Sequence, residues 1–326
     1  MNRFLDLADF PREQMKDLLG LAARLQQTPQ PQALAGKVLG LLFLNPSLRT
    51  LASFQSAMMR LGGTAVVITP GQGTWQMETR AGAIMNGTAA EHVREAVPVL
   101  ASYCDAIGIR MFAEGRNLAA DLAETGFRMM ADLCDKPLVN MESAMSHPCQ
   151  ALADWHTMDE LRVPERGKFV LTWANHPRAL PLAVPSSTVH MAAMRGMDVV
   201  VLRPEGFALP ESLMQKASAA AEKSGGSVRE TAAVSISVPA SRVLNFFPSL
   251  ARARVLRRSR IRRVGREEVE FCSILLNNKR AGFPALHSTL VAYGFLQRLI
   301  YQHLIKPEKF PGKVCGFYSA LGAVSL

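Results

Sequence analysis

The sequence predicts an α/β protein of two domains, each a parallel sheet flanked by helices. Three observations predict it. Apolar runs of strand length recur along the first two thirds of the chain, at Lys37–Leu44, Ala65–Ile68, Asp105–Arg110, Pro137–Met141, Lys168–Trp173 and Asp198–Leu202. The segments between them carry apolar residues at helical spacing. The rhythm also restarts after the charged turn Pro164-Glu165-Arg166-Gly167, in a chain of 326 residues. At roughly 100–200 residues per domain, that length holds two cores. Continuous rather than alternating apolar strands, separated by amphipathic helices, belong to sheets covered on both faces.

Each element has its own signal. After Lys37–Leu44, Ser47 opens a helix with Leu51, Phe54, Met58 and Leu61 on one face, ended by Gly62-Gly63. Thr69-Pro70-Gly71-Gln72-Gly73 is a breaker-rich loop after the second strand. His92–Tyr103 reads as a helix, as do about Leu118–Leu133 and Ala151–Leu161. In the second half, Ser187–Arg195 is a helix capped by Gly196, and Pro210–Lys223 one closed by Gly225-Gly226. The expected division is 1–150 for one domain, 151–240 for a partial second, and 241–326 for an atypical remainder.

Composition narrows the function. A hydrophobic fraction of 48% with 20% charged residues excludes wholesale disorder. No apolar run approaches the ~20 residues of a membrane-spanning helix, and Met1–Asp6 lacks a signal peptide's apolar stretch, so a cytoplasmic protein without a membrane partner is expected. The five cysteines (Cys104, Cys134, Cys149, Cys272, Cys315) include no CxxC pair, which fits a reducing compartment. The histidines show no HExxH or paired spacing, no Walker loop occurs, and the loop after Lys168–Trp173 has no glycine. Neither a metal nor a nucleotide cofactor is expected.

The sharpest chemistry-bearing segment is Asn45-Pro46-Ser47-Leu48-Arg49-Thr50, where a strand runs into a helix start. Unpaired N–H groups and the helix dipole favour an anion there, and Ser47, Thr50 and Arg49 add donors. Spacing alone weighs this equally against an ordinary N-cap beside a solvated arginine. Arg110 closes an apolar strand at the edge where open α/β sheets place ligands, although such an arginine is more often a salt-bridge residue. His147-Pro148-Cys149-Gln150 is a second strand-to-helix loop, in which His147 suits an oxyanion and Gln150 an amide; the alternative is a plain turn. Glu142, just after its strand, is a partner for a cationic group or else a surface carboxylate. Trp75 anchors a subunit contact, covers a ligand, or packs in the core.

Taken together, these loops resemble the aspartate/ornithine transcarbamylase family over about residues 1–230. Ser47-Leu48-Arg49-Thr50 matches its carbamoyl-phosphate motif and His147-Pro148-Cys149-Gln150 its second motif. The Trp75 loop, Glu78–His92, Asn140-Met141-Glu142 and Thr172–Pro177 look most like the N-acylornithine branch. The resemblance implies that Ser47, Leu48 through its backbone, Arg49, Thr50, Arg110, His147 and Gln150 hold carbamoyl phosphate, with Trp75 reaching a neighbouring subunit of a homotrimer. It implies no cofactor, and a place for the chain in arginine biosynthesis. Glu142 and Ala90 would face the N-acylornithine. Acetyl-specific members carry Glu at the position of Ala90 and succinyl-specific members Pro. Ala90 removes a carboxylate that would repel a succinyl tail, and Arg178, beside His176, suits the tail's carboxylate. These features lean toward N-succinylornithine over N-acetylornithine.

The end of the chain departs from that pattern. The net charge of +10 is not spread evenly: residues 1–241 hold 22 Lys+Arg and 23 Asp+Glu, and residues 242–326 hold 15 and 4. The arginines from 252 to 266 lack interleaved aromatics, which disfavours nucleic-acid binding. The family's late His-Cys-Leu-Pro loop has no counterpart, since His287 precedes Ser-Thr-Leu, and Asn277-Asn278 is a faint echo of its TNN segment. A burst of arginine with no further Asp is what a shifted reading frame produces. Translating the gene in its other frames beyond codon 240 is expected to restore the family's C-terminus; if no frame does, the shift is refuted.

Overall fold

The computed structural model describes residues 2–115, 117–173, 182–232 and 270–275. In chain order the elements are β1 (Arg3–Phe4), a short 3-10 turn, α1 (Arg12–Gln27), β2 (Val38–Phe43), α2 (Leu48–Arg60), β3 (Thr64–Ile68), β4 (Met77–Glu78), β5 (Glu91–His92), α3 (Val93–Tyr103) and β6 (Ala106–Arg110). There follow α4 (Leu118–Ala123), α5 (Thr125–Leu133), β7 (Leu138–Glu142), α6 (Pro148–Glu160), β8 (Lys168–Trp173), α7 (Ala183–Arg195), β9 (Asp198–Leu202), α8 (Glu211–Ser224), β10 (Ser227–Thr231) and β11 (Glu270–Leu275).

The expected α/β architecture is present as two parallel sheets, ordered β1-β7-β6-β2-β3 and β10-β9-β8-β11, with a two-residue parallel pair β4-β5 outside them. Successive side chains of a strand point to opposite faces, and the first sheet uses both. Leu39, Leu41, Phe43, Val139 and Met141 join one apolar cluster, whereas Leu42, Ile107, Ile109 and Leu138 join the other with α3 and α5. The first cluster continues through Trp155 of α6 and Val189 of α7 to Phe169 and Val199 of the second sheet.

Several boundaries differ from expectation. The helix expected over Leu118–Leu133 is two helices, broken at Glu124, whose φ is 50°. Glu142 is the last residue of β7 rather than the first beyond it. The elements β1, α1, β10 and β11 were not expected. Of these, β11 pairs in parallel with β8 from Glu270↔Lys168 to Leu275↔Trp173. Phe271-Cys272-Ser273-Ile274-Leu275 is a short apolar run, so it can form a covered strand although arginines precede it. The rest of 241–326, including Asn277, Asn278, His287 and the arginines from 252 to 266, lies outside the described residues.

Arg195 and α1 brace the connection between α6 and β8. Arg195, the last residue of α7 and only 1% exposed, donates from Nη1 to Pro164 O and from Nη2 to Val163 O, 2.6 and 2.7 Å away. Its Nη2 also reaches Asp159 Oδ1 at 2.8 Å. Arg12 and Lys16 of α1 both reach Glu165, at 2.9 Å each, on the same connection. Replacing Arg195 by Ala strands two carbonyls in a dry interior, at about 1–3 kcal/mol apiece. A loss of at least about 3 kcal/mol in urea unfolding is therefore expected for Arg195→Ala, and a loss below about 1 kcal/mol would refute the latch.

Candidate active site

The ligand edge of the first sheet is made by the carboxyl ends of β2, β6 and β7. Parallel pairing sets Phe43 beside Arg110 and Arg110 beside Glu142, the register shifting at Ile109/Arg110. Three strand ends and the starts of α2 and α6 thus meet at one place.

Ser47 caps α2. Its Oγ accepts the Thr50 N–H at 3.3 Å and donates to Thr50 Oγ1 at 3.0 Å. Leu48, the first helical residue, is 82% exposed, and Arg49 is exposed beside it. The N-cap reading is therefore correct, and it leaves the anion reading standing, because a cap satisfies one end donor of four. Asn45 Oδ1 accepts the Phe112 N–H at 2.7 Å, which fixes the turn before the helix to the one after β6.

Arg110 and Glu142 form a buried ion pair, Nη1 to Oε2 at 2.6 Å, with side chains 8% and 10% exposed. Arg110 Nη1 also donates to Met141 O at 3.1 Å, and its guanidinium lies 4.4 Å from the centre of the Phe112 ring. The alternative of Glu142 as a surface carboxylate is thereby overturned: strand pairing carries the side chain inward. Loss of hydration pushes the Glu142 carboxyl up, and the Arg110 and Arg49 charges pull it back. Its backbone takes φ 138°, which non-glycine residues avoid. The Glu142 N–H is anchored on Asn140 Oδ1 at 3.0 Å, while Asn140 Nδ2 holds Leu5 O, Ser143 Oγ and Ser146 O.

His147 occupies the cap position of α6, ahead of Pro148, and its N–H donates to Ser187 Oγ of α7 at 2.8 Å. Its Nε2 lies 3.3 Å from Glu142 Oε2. Loss of hydration, then the Arg110 and Arg49 charges, push its pKa down to about 3, so the ring is neutral at ordinary pH. With Nε2 facing a carboxylate, the proton is assigned to Nε2 and the lone pair to Nδ1. That Nδ1 is buried without a partner, as is Arg110 Nε.

Gln150 donates from Nε2 to Asp154 Oδ1 at 3.0 Å. Burial pushes Asp154 up to about 7, opposed by that bond. Its amide nitrogen engaged, Gln150 has its carbonyl oxygen left to read a ligand. Asp154 was not among the expected residues, though its i, i+4 spacing from Gln150 on one helix was the available signal. Trp75 is 59% exposed, which excludes core packing, and its Nε1 donates to Glu91 Oε2 at 2.8 Å. Glu91 follows the exposed Ala90, so this bond joins the loop before β4 to the segment that carries Ala90. In β4, between the two, Glu78 is held down to about 2 by Arg80, which grips it through Nε at 3.0 Å and Nη2 at 2.7 Å.

The structure thus gathers Arg110, Glu142 and His147 directly, with Arg49 near enough to act on the charge of all three. Gln150 follows one turn into α6. A cavity of about 330 Å³, lined by Arg80, Met111, Phe112, Glu114, Asp121 and Ala144 among others, flanks the cluster. His176 and Arg178 lie outside the described residues. No helix among the described residues is long and apolar enough to cross a membrane.

The chain is similar to proteins of known activity. Residues 2–160 match the model of the aspartate/ornithine carbamoyltransferase carbamoyl-P binding domain. An N-acetylornithine carbamoyltransferase of Xanthomonas campestris is 37% identical over 233 residues, 70% of this chain and 68% of that protein. An N-succinylornithine carbamoyltransferase of Bacteroides thetaiotaomicron is 42% identical over 173 residues, 53% of this chain; the match spans only 54% of that relative's length. Among solved structures, acetylornithine transcarbamylase complexed with acetylcitrulline aligns with a TM-score of 0.67 at 36% identity, covering 71% of this chain and 70% of that one. A glutamate-to-alanine mutant of N-acetyl-L-ornithine transcarbamylase, complexed with carbamyl phosphate and N-succinyl-L-norvaline, aligns with a TM-score of 0.68 at 36% identity over 72% of this chain and 71% of that one.

A neutral His147 has a measurable sign. Between about 3 and 6.5 the unfolded chain binds a proton that the native ring refuses, so His147 costs stability as pH falls through that window. The ring resonances of His147 are expected to remain those of a neutral imidazole from pH 8 to about pH 4. A titration midpoint near 6.5 would overturn the assignment.

Proposed function

We propose that this chain, which belongs to the aspartate/ornithine carbamoyltransferase family, transfers the carbamoyl group of carbamoyl phosphate to the δ-amine of an N-acylated L-ornithine, a step of arginine biosynthesis. The observation that carries this reading is the convergence of Arg49, Arg110 and His147 on one sheet edge beside a helix N-terminus. Two fixed cations, a neutral ring and unpaired backbone donors suit a phosphate ester whose carbonyl gains negative charge during attack.

In this mechanism Ser47, the Leu48 backbone, Arg49, Thr50 and Arg110 bind the phosphate. Gln150 accepts from the carbamoyl amide, and Trp75 completes the pocket of a neighbouring subunit in a homotrimer. The neutral δ-amine attacks the carbamoyl carbon while Arg49, Thr50 and His147 stabilise the developing oxyanion. The C–O bond to phosphorus then breaks, and phosphate departs with the electron pair and takes the amine's proton. Positioning and electrostatics supply the acceleration, and the chemistry asks for no cofactor.

Glu142, Ala90, His176 and Arg178 are assigned to the amino-acid substrate. For the acyl group we favour succinyl. Ala90 presents no carboxylate to a succinyl tail, and a solved relative in which alanine replaces a glutamate holds N-succinyl-L-norvaline. A second reading, an anion-binding homologue without turnover, is favoured by the missing His-Cys-Leu-Pro segment. A citrulline-forming assay with ornithine, N-acetylornithine and N-succinylornithine separates the readings. Turnover is expected to be highest with the succinyl substrate and to fall at least about 100-fold in Arg49→Ala. Activity that survives Arg49→Ala refutes the site, and no activity with any substrate leaves the second reading.

A further inference from the structure

The site already contains an anion that belongs to the protein. Glu142 Oε2 is 2.6 Å from Arg110 Nη1 and 3.3 Å from His147 Nε2, two of the groups proposed above to receive carbamoyl phosphate. Arg49, the third, acts on the same carboxylate from the helix start. We propose that Glu142 is the resident counter-ion of this site and that an incoming phosphate displaces its carboxylate from Arg110. The inference rests on the anion-binding reading above and adds to it a competitor built into the chain.

Three features support an exchange over a permanent pair. The first is charge. Arg110 cannot lose its proton, so it needs a carboxylate beside it whenever no ligand anion is bound. A phosphate in the same place would meet that carboxylate at close range, where like charges disfavour one another. The second is unspent bonding capacity. Arg110 Nε is a buried donor with no partner, beside groups that Glu142 engages through a single oxygen. A tetrahedral oxyanion brings more acceptors than Glu142 uses here. The third is the backbone. Glu142 sits at φ 138° at the end of β7, held by the Asn140 bond to its N–H and by its carbonyl accepting from Met111 N at 3.0 Å. With both peptide groups fixed, the carboxylate moves by side-chain rotation and the strand need not shift. Such strain is maintained where the surroundings over-determine a conformation, commonly at functional sites.

The exchange has a consequence for the second substrate. While Arg110 holds Glu142, the carboxylate is spent on an internal cation. Once phosphate takes Arg110, the same carboxylate is free to face the amino group of the acylornithine. One side chain thereby links the two halves of the pocket without any movement of the sheets.

The test titrates inorganic phosphate into the full-length protein by calorimetry at constant ionic strength. Glu142→Gln keeps the shape of the side chain and removes its charge. It is expected to bind phosphate at least about ten-fold more tightly than the parent while losing carbamoyl transfer. Phosphate affinity equal to or weaker than the parent's would overturn the exchange, because Glu142 would then be a fixed support for Arg110. If the variant is too unstable to titrate, the phosphate-induced rise in its unfolding temperature is compared with the parent's at equal phosphate. A larger rise supports the exchange and an equal or smaller rise refutes it. Arg49→Ala controls the underlying reading: undiminished phosphate binding in that variant would refute the anion site itself, whatever Glu142 does.

Discussion

The parallel pairing of β6 with β7 is the constraint on which the site depends. It places Arg110 beside Glu142 with the register shifting one step before the arginine. Arg110 stays charged in a place where water cannot serve it, so a counter-ion has to come from a neighbouring strand. The buried pair follows from that juxtaposition, and the Asn140 bonds and the His147 contact with Ser187 hold the groups around it. A buried ion pair is weak evidence for stability, since desolvation consumes much of the attraction. Its presence at a ligand edge is better understood as keeping a cation in readiness than as holding the fold together.

The same dryness sets the chemistry of the other groups. It drives His147 to its neutral form and raises Cys149 to about 12 and Asp154 to about 7. Cys149, although set between two of the candidate residues, is thus a protonated thiol that packs against Asn140 O and offers no nucleophile. Asp154 gives Gln150 a fixed orientation. Among the described residues of the cluster, Arg49 and Arg110 carry positive charge, and Arg49 is the exposed one. Arg49 thus lies at the surface of the cluster and Arg110 beneath it.

Much of this was legible in the sequence, and the reasons are local. Continuous apolar runs mark β2, β6 and β9 because strands covered on both faces need apolar side chains in both directions. Ser47-Leu48-Arg49-Thr50 and His147-Pro148 announce helix starts through cap chemistry that acts within four residues. Long-range facts were not legible. Spacing says nothing of which carboxylate answers Arg110, because Glu142 lies 32 residues away and its direction is set by pairing. The break at Glu124 escaped because Glu carries no helix-stopping signal; its carboxylate accepts Met145 N at 2.9 Å, a contact visible only in three dimensions. By contrast α1 had a legible signal, with Met15, Leu18, Leu19, Ala22 and Leu25 buried at helical spacing behind Pro11.

The distribution of charge decides how a chain with a net +10 can be a small-molecule protein. Residues 1–241 carry 22 basic and 23 acidic side chains, so the first sheet and its edge sit in a nearly neutral body. There the attraction of an anion is local: it comes from two arginines and a helix end, partly cancelled at rest by Glu142. A broad basic face would attract phosphates of every kind and discriminate poorly among them. A nearly cancelled site discriminates by shape, because a ligand must supply enough acceptors to replace the carboxylate it displaces. On the function proposed above, selectivity for a compact phosphate ester follows from the residues that lower the site's net charge as much as from those that supply it.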